Sequence, residues 1–106
     1  MVKVKLEDKK LVFSFPNRLD TAVVMEIETE VMKKLEEEKK SVKTVVFDLK
    51  DVEYISSSFL RLCVNVGRGK EENDLVIINV SPIVFKVFKM AGFDKIFKIE
   101  LLDWNF

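Results

Sequence analysis

Between Thr44 and Leu49 the chain reads Thr-Val-Val-Phe-Asp-Leu, nearly continuous in β-branched and aromatic residues. Seven residues after Leu49 come Ser56-Ser57-Ser58, followed at once by the apolar run that opens with Phe59. A buried strand, then hydroxyls, then a helix-like run place the serines at a helix N-terminus beside the end of a strand. Backbone N–H groups lack partners there and the helix dipole is positive. The position therefore suits an anion, or a hydroxyl awaiting one.

The rest of the chain supplies companions for that unit. Val2, Val4 and Leu6 alternate with Lys3, Lys5 and Glu7, and Leu11, Phe13 and Phe15 repeat the pattern after Asp8-Lys9-Lys10. Period two predicts two half-buried strands joined as a hairpin, although its turn lacks glycine. Asp20 or Thr21 then caps a helix whose stripe is Val24, Ile27, Val31 and Leu35. From Phe59 to Arg68 a second helix leaves only Arg61, Asn65 and Arg68 as a polar stripe, so it is largely buried. Gly67-Arg68-Gly69-Lys70 lacks the spacing of a phosphate loop and follows a helix, where glycine serves as a C-cap. Leu75 to Val80 is another buried strand. Ser81-Pro82 caps a third helix with core residues Val84, Val87, Phe88 and Ala91, and Gly92 ends it. Lys95 to Glu100 is a last short strand, and Trp104 and Phe106 in the tail either offer an apolar contact or, the plainer expectation, pack back on the domain.

The order β-β-α-β-α-β-α-β predicts one α/β domain over residues 1–106. Its sheet is mixed and mostly parallel, with four or five strands, an N-terminal antiparallel hairpin and three or four helices. A chain of 106 residues, 48% hydrophobic with nine phenylalanines, can close such a core. Eighteen basic residues balance eighteen acidic ones, which argues against a nucleic-acid surface. No apolar run reaches the length of a membrane span, and no signal-peptide pattern follows Met1; the expectation is a soluble cytoplasmic domain. The abundance of Lys and Glu with no glutamine resembles a thermophile's composition.

Histidine is absent and Cys63 is the sole cysteine. Ser-His-Asp and Cys-His catalysis, histidine metal sites and an internal disulfide are therefore excluded. The serine turn lacks the G-x-S-x-G spacing of a nucleophile elbow, and Lys50 is the nearest lysine to it in sequence. The expectation is no enzyme, no metal and no cofactor. Cys63, set in an apolar run, is expected to be buried and inert.

Three segments carry a family resemblance that spans almost the whole chain. Asn17-Arg18-Leu19-Asp20 resembles a G-x-L-D segment that opens a first helix, and Val45-Val46-Phe47-Asp48-Leu49 resembles a hydrophobic strand ending in D-L. Tyr54-Ile55-Ser56-Ser57-Ser58-Phe59-Leu60 aligns with an apolar pair followed by D-S-S-G-L. Together they resemble the STAS domain of bacterial anti-sigma factor antagonists. The motif's aspartate stands here as Ser56 and its glycine as Phe59.

The resemblance implies a protein that binds an anti-sigma factor with serine kinase activity and so frees a sigma factor. It implies phosphorylation at Ser58, with Ser57 and Ser56 as secondary candidates, and partner contacts at Asp20, Asp48, Ser56, Ser57, Ser58, Phe59 and Arg61. An alternative keeps the fold and drops the switch: a constitutive protein-binding module in which an exposed Phe59 is a contact anchor. For Phe59 itself, core packing is the plain structural expectation. Oligomeric state, the sigma factor and any ligand are left open.

Overall fold

The computed structural model describes residues 2–68 and 74–102. Gly69 and Lys70 of the glycine-containing segment and Trp104 and Phe106 of the tail lie outside the described residues. Strands β1 (Lys3–Glu7) and β2 (Lys10–Ser14) form the hairpin, closed by a two-residue loop in which Asp8 (φ 49°) and Lys9 (φ 65°) are both left-handed. That is the backbone of a type I′ turn, whose twist matches the flanking strands and which usually recruits glycine. A two-residue strand β3 (Arg18–Leu19) leads into helix α1 (Thr21–Glu38). Strand β4 (Thr44–Asp48), the two-residue β5 (Tyr54–Ile55) and helix α2 (Ser57–Arg68) follow. Strand β6 (Asp74–Val80), helix α3 (Pro82–Met90), a 3-10 turn at Phe93–Lys95 and strand β7 (Lys98–Leu101) complete the described chain.

The main sheet has the order β1-β2-β4-β6-β7, antiparallel between β1 and β2 and parallel elsewhere. The three crossovers β2-α1-β4, β4-α2-β6 and β6-α3-β7 each move one place in the same direction. Right-handed crossovers that never reverse direction set every helix on one face of the sheet. Burial agrees. Leu11, Phe13, Val45, Phe47, Leu75 and Ile77 share one core with Val24, Ile27, Val31 and Leu35 of α1 and with Phe59, Leu62, Cys63 and Val66 of α2. The opposite, helix-free face carries a row in direct register: Lys5, Val12, Val46, Val76 and Lys98.

The expected stripe of α1 is buried in full, and Asp20 caps the helix by accepting the Val23 amide at 3.0 Å. Ser81 caps α3 with Pro82 in the first turn, and Gly92 takes the left-handed conformation (φ 78°) that ends it. Four details differ from the sequence-based expectation. The last strand begins at Lys98 rather than Lys95, because Phe93–Lys95 wind into a 3-10 turn. Strand β1 is exposed along its length, because it is an edge strand with a neighbour on one side only. Ala91 caps α3 from an exposed position and does not extend the core stripe. Gly67 is not a C-cap but lies inside α2. A Cβ there would stand 2.9 Å from Cζ of the Phe97 ring and closer to its Cε1. Glycine therefore admits a close approach between helix and ring rather than a left-handed turn.

Candidate functional site

A small second ladder brings the serine segment to the start of α1. Strands β3 and β5 pair in parallel, Arg18 opposite Tyr54 and Leu19 opposite Ile55. Leu19 and Ile55 point into the core, while the Arg18 guanidinium lies 4.6 Å from the centroid of the Tyr54 ring on the outside. The Ser56 amide continues the ladder by donating to the Leu19 carbonyl at 2.9 Å, and the Glu53 amide donates to the Asn17 carbonyl at 2.8 Å. The Asn17 side chain donates to the Asp51 carbonyl and to the Glu53 carboxylate. Residues 17–20 and 51–56 are thereby held as one unit, with both helix N-termini emerging from it.

The three serines occupy three environments. Ser56 is the N-cap of α2: its Oγ accepts the Phe59 amide at 3.4 Å, its carbonyl accepts the Leu60 amide at 3.2 Å, and it is only 8% exposed. Ser57 opens the helix and is exposed. Ser58, half-buried, donates from Oγ to Thr21 Oγ1 across 3.3 Å, joining the first turns of α1 and α2. Because Ser56 holds the cap, the Ser58 hydroxyl is not needed to terminate the backbone.

Phe59 is fully buried. Its ring centroid lies 5.3 Å from Phe15 and 5.9 Å from Phe47, in an aromatic cluster that anchors the start of α2 to β2 and β4. Phe59 is therefore core, the plain structural expectation, and not the exposed anchor of the alternative reading. At the third helical position a side chain one residue past Ser58 turns toward the sheet. The Ser56 hydroxyl is used inward by the cap.

Asp48 separates from the serines. It lies on the helix-free face with Val46, its Oδ1 accepts the Lys50 amide and the Asn79 Nδ2, each at 3.0 Å, and it lines a cavity of ≈160 Å³ with Lys3, Ser14 and Lys50. Asn79 adopts φ 58° at a register shift between β6 and β7, and the hydrogen bond its side-chain amide donates to Asp48 secures that bulge. Asp48 thus accepts the amide of the turn that follows it. Asp20 is half-buried and engaged in the α1 cap.

Arg61 is exposed on α2, one turn beyond Ser58, and makes no ion pair among the described residues. Cys63 is fully buried, and burial pushes its thiol pKa well up, only partly offset by a backbone hydrogen bond. Such a thiol is an inert packing group. Among the described residues no cluster of acidic and cysteine side chains could hold a metal, and no helix is long and apolar enough to cross a membrane. Sequence reasoning missed the Thr21 contact and the Arg18–Tyr54 stack. Both depend on a two-residue ladder too short to leave a periodic trace.

Solved structures share this architecture. An anti-sigma-factor antagonist (STAS) domain protein from Planctomyces limnophilus superposes with a TM-score of 0.81 at 24% identity, over 96% of this chain and 91% of that one. An anti-sigma factor antagonist from Mycobacterium paratuberculosis gives 0.84 at 19% identity, over 94% and 84%. The Bacillus cell fate determinant SpoIIAA in its phosphorylated form gives 0.68 at 18% identity, over 93% and 90%. A sequence search of curated proteins found no match. The family model described as STAS domain matches residues 1–101, and with the mixed sheet in agreement, the chain belongs to the STAS domain family.

Proposed function

We propose that this chain is a cytoplasmic anti-sigma factor antagonist that binds an anti-sigma factor with serine kinase activity and is switched at Ser58. The observation that carries this reading is the division of labour among the serines. Ser56 caps the helix, while the Ser58 hydroxyl donates to another hydroxyl, that of Thr21, at the mouth between two helix N-termini. In the switch, the γ-phosphoryl of ATP passes to Ser58 Oγ, the hydroxyl proton goes to a base of the kinase, and ADP leaves. The added charge of about −1.5 to −2 sits at the positive end of α2, so the fold tolerates it. A partner surface that packs over the bare hydroxyl would instead have to desolvate the phosphate, and binding fails.

The burial of Phe59 favours this reading over a constitutive module, because the bulk that replaces the motif's glycine faces the core and leaves the approach to Ser58 clear. Catalysis by the chain itself lacks support: no histidine is present, and Ser58 donates to a hydroxyl rather than to a base. The test is incubation of the chain with the cognate kinase and ATP, followed by mapping of the phosphate by mass spectrometry and titration of the partner. The reading expects phosphate on Ser58 and loss of binding in Ser58→Asp. Absence of phosphate from Ser56, Ser57 and Ser58, with Ser58→Asp binding as tightly as the parent, overturns it.

A further inference from the structure

Around Ser58 the side chains are unevenly committed. Asp20 is occupied by the Val23 amide, Arg18 is stacked on Tyr54, and Ser56 holds the cap. Arg61 is different: exposed, without an ion pair among the described residues, and three positions beyond Ser58 on the same helix. Residues three apart are neighbours on a helix surface, with Cβ atoms about 5–6 Å apart. Helical side chains also lean toward the N-terminus, so a guanidinium at position 61 can reach back over the turn that carries Ser58.

We infer that Arg61 is the internal counter-ion for a phosphate on Ser58, with Thr21 as its second ligand. This rests on the proposed switch and supplies its regulation within the chain. Phosphoryl transfer from ATP replaces the Ser58 hydroxyl proton, which goes to a base of the kinase as ADP departs. The ester oxygen can then no longer donate to Thr21 Oγ1. The Thr21 hydroxyl, freed as an acceptor, turns and donates to a phosphate oxygen, reversing the present 3.3 Å bond. The guanidinium offers paired N–H donors that match phosphate geometry, a charge-assisted contact of the stronger kind. Phosphorylation therefore does two things at once. It adds negative charge where the partner docks, and it withdraws Arg61 from any acidic residue of that partner.

Phosphoserine installed at position 58 of the full chain by codon expansion tests this without requiring the natural kinase. The readout is the second pKa of the phosphate, followed by 31P NMR. Arg61 paired with the dianion holds that pKa down, so Arg61→Gln should raise it by about half a unit at low salt, and Thr21→Val by less. Arg61→Lys, which keeps the charge and loses the paired donors, should fall between. Far-ultraviolet circular dichroism verifies that each variant is folded, as expected for exposed positions. Equal phosphate pKa values in the parent and Arg61→Gln overturn the inference. A failure of the proposed function appears elsewhere, as an unmodified Ser58 after kinase treatment.

Discussion

Phe97 lies against the backbone of α2 at Gly67, with no room for a Cβ between ring and helix. The ring stands edge-on to Phe93, 5.4 Å between centroids, so moving it aside disturbs that aromatic contact. Gly67→Ala should therefore lose about 1–3 kcal/mol through overpacking, despite alanine's better helix propensity. Urea denaturation should show a lower midpoint with an unchanged slope. Adding Phe97→Leu should restore part of the loss, and simple additivity of the two substitutions would refute the contact.

The hairpin turn offers a change in the opposite direction. Lys9 sits at φ 65°, and its carbonyl accepts the amides of Lys43 at 2.8 Å and Thr44 at 3.3 Å. Those bonds use only the backbone, so Lys9→Gly keeps them and removes the left-handed strain. A gain of about 1 kcal/mol is expected, read as a higher melting temperature.

Ser56 should prove structural. Ser56→Ala removes the acceptor for the Phe59 amide and should cost about 1 kcal/mol, whereas Ser56→Asp, which restores the motif's carboxylate, should recover most of it as an equally good cap. Thermal melts of the two variants decide this. If alanine matched the parent, the cap would be of no consequence.

Phe59 cannot be reverted to the motif's glycine without loss of the core. Phe59→Ala should cost about 3–5 kcal/mol and Phe59→Gly more, since both empty the cluster with Phe15 and Phe47. Guanidinium unfolding measures it. A variant with native stability and only weakened partner binding would return Phe59 to the surface role.

Cys63 makes stability fall in alkali. The unfolded thiol ionises near about 8.5, while burial raises the folded value well above that. Below the unfolded value the stabilisation is fully present. As pH rises between the two, the unfolded chain binds fewer protons and stability falls by about 1.4 kcal/mol per pH unit. Between pH 8 and 10 the parent should thus lose about 2 kcal/mol more than Cys63→Ala, by urea midpoints at each pH. Parallel pH profiles would contradict this.

Where sequence and structure agree, the signal was local. The α1 stripe at Val24, Ile27, Val31 and Leu35 has helical spacing, and Asp20 and Ser81-Pro82 are caps whose chemistry acts within four residues. The strand, hydroxyl and helix order around Ser58 was legible for the same reason. Gly67 was misread because its reason is Phe97, thirty residues away. The exposure of β1 followed from its place at the edge, which alternation alone does not reveal. Thr21, the hydrogen-bond partner of Ser58, carries no motif; only the pairing of Arg18–Leu19 with Tyr54–Ile55 brings it there.

The helix-free face has a consequence for solubility. Its register row begins at Lys5 on one open edge and ends at Lys98 on the other, with Val12, Val46 and Val76 between. Lys5 and Lys98 also stand beside Glu7 and Glu100, at 3.5 and 3.7 Å. An approaching strand from another molecule would have to strip water from charge at either margin, so the sheet resists growing edge to edge into fibres. The valines keep an apolar centre, while the lysines act as gatekeepers at both margins.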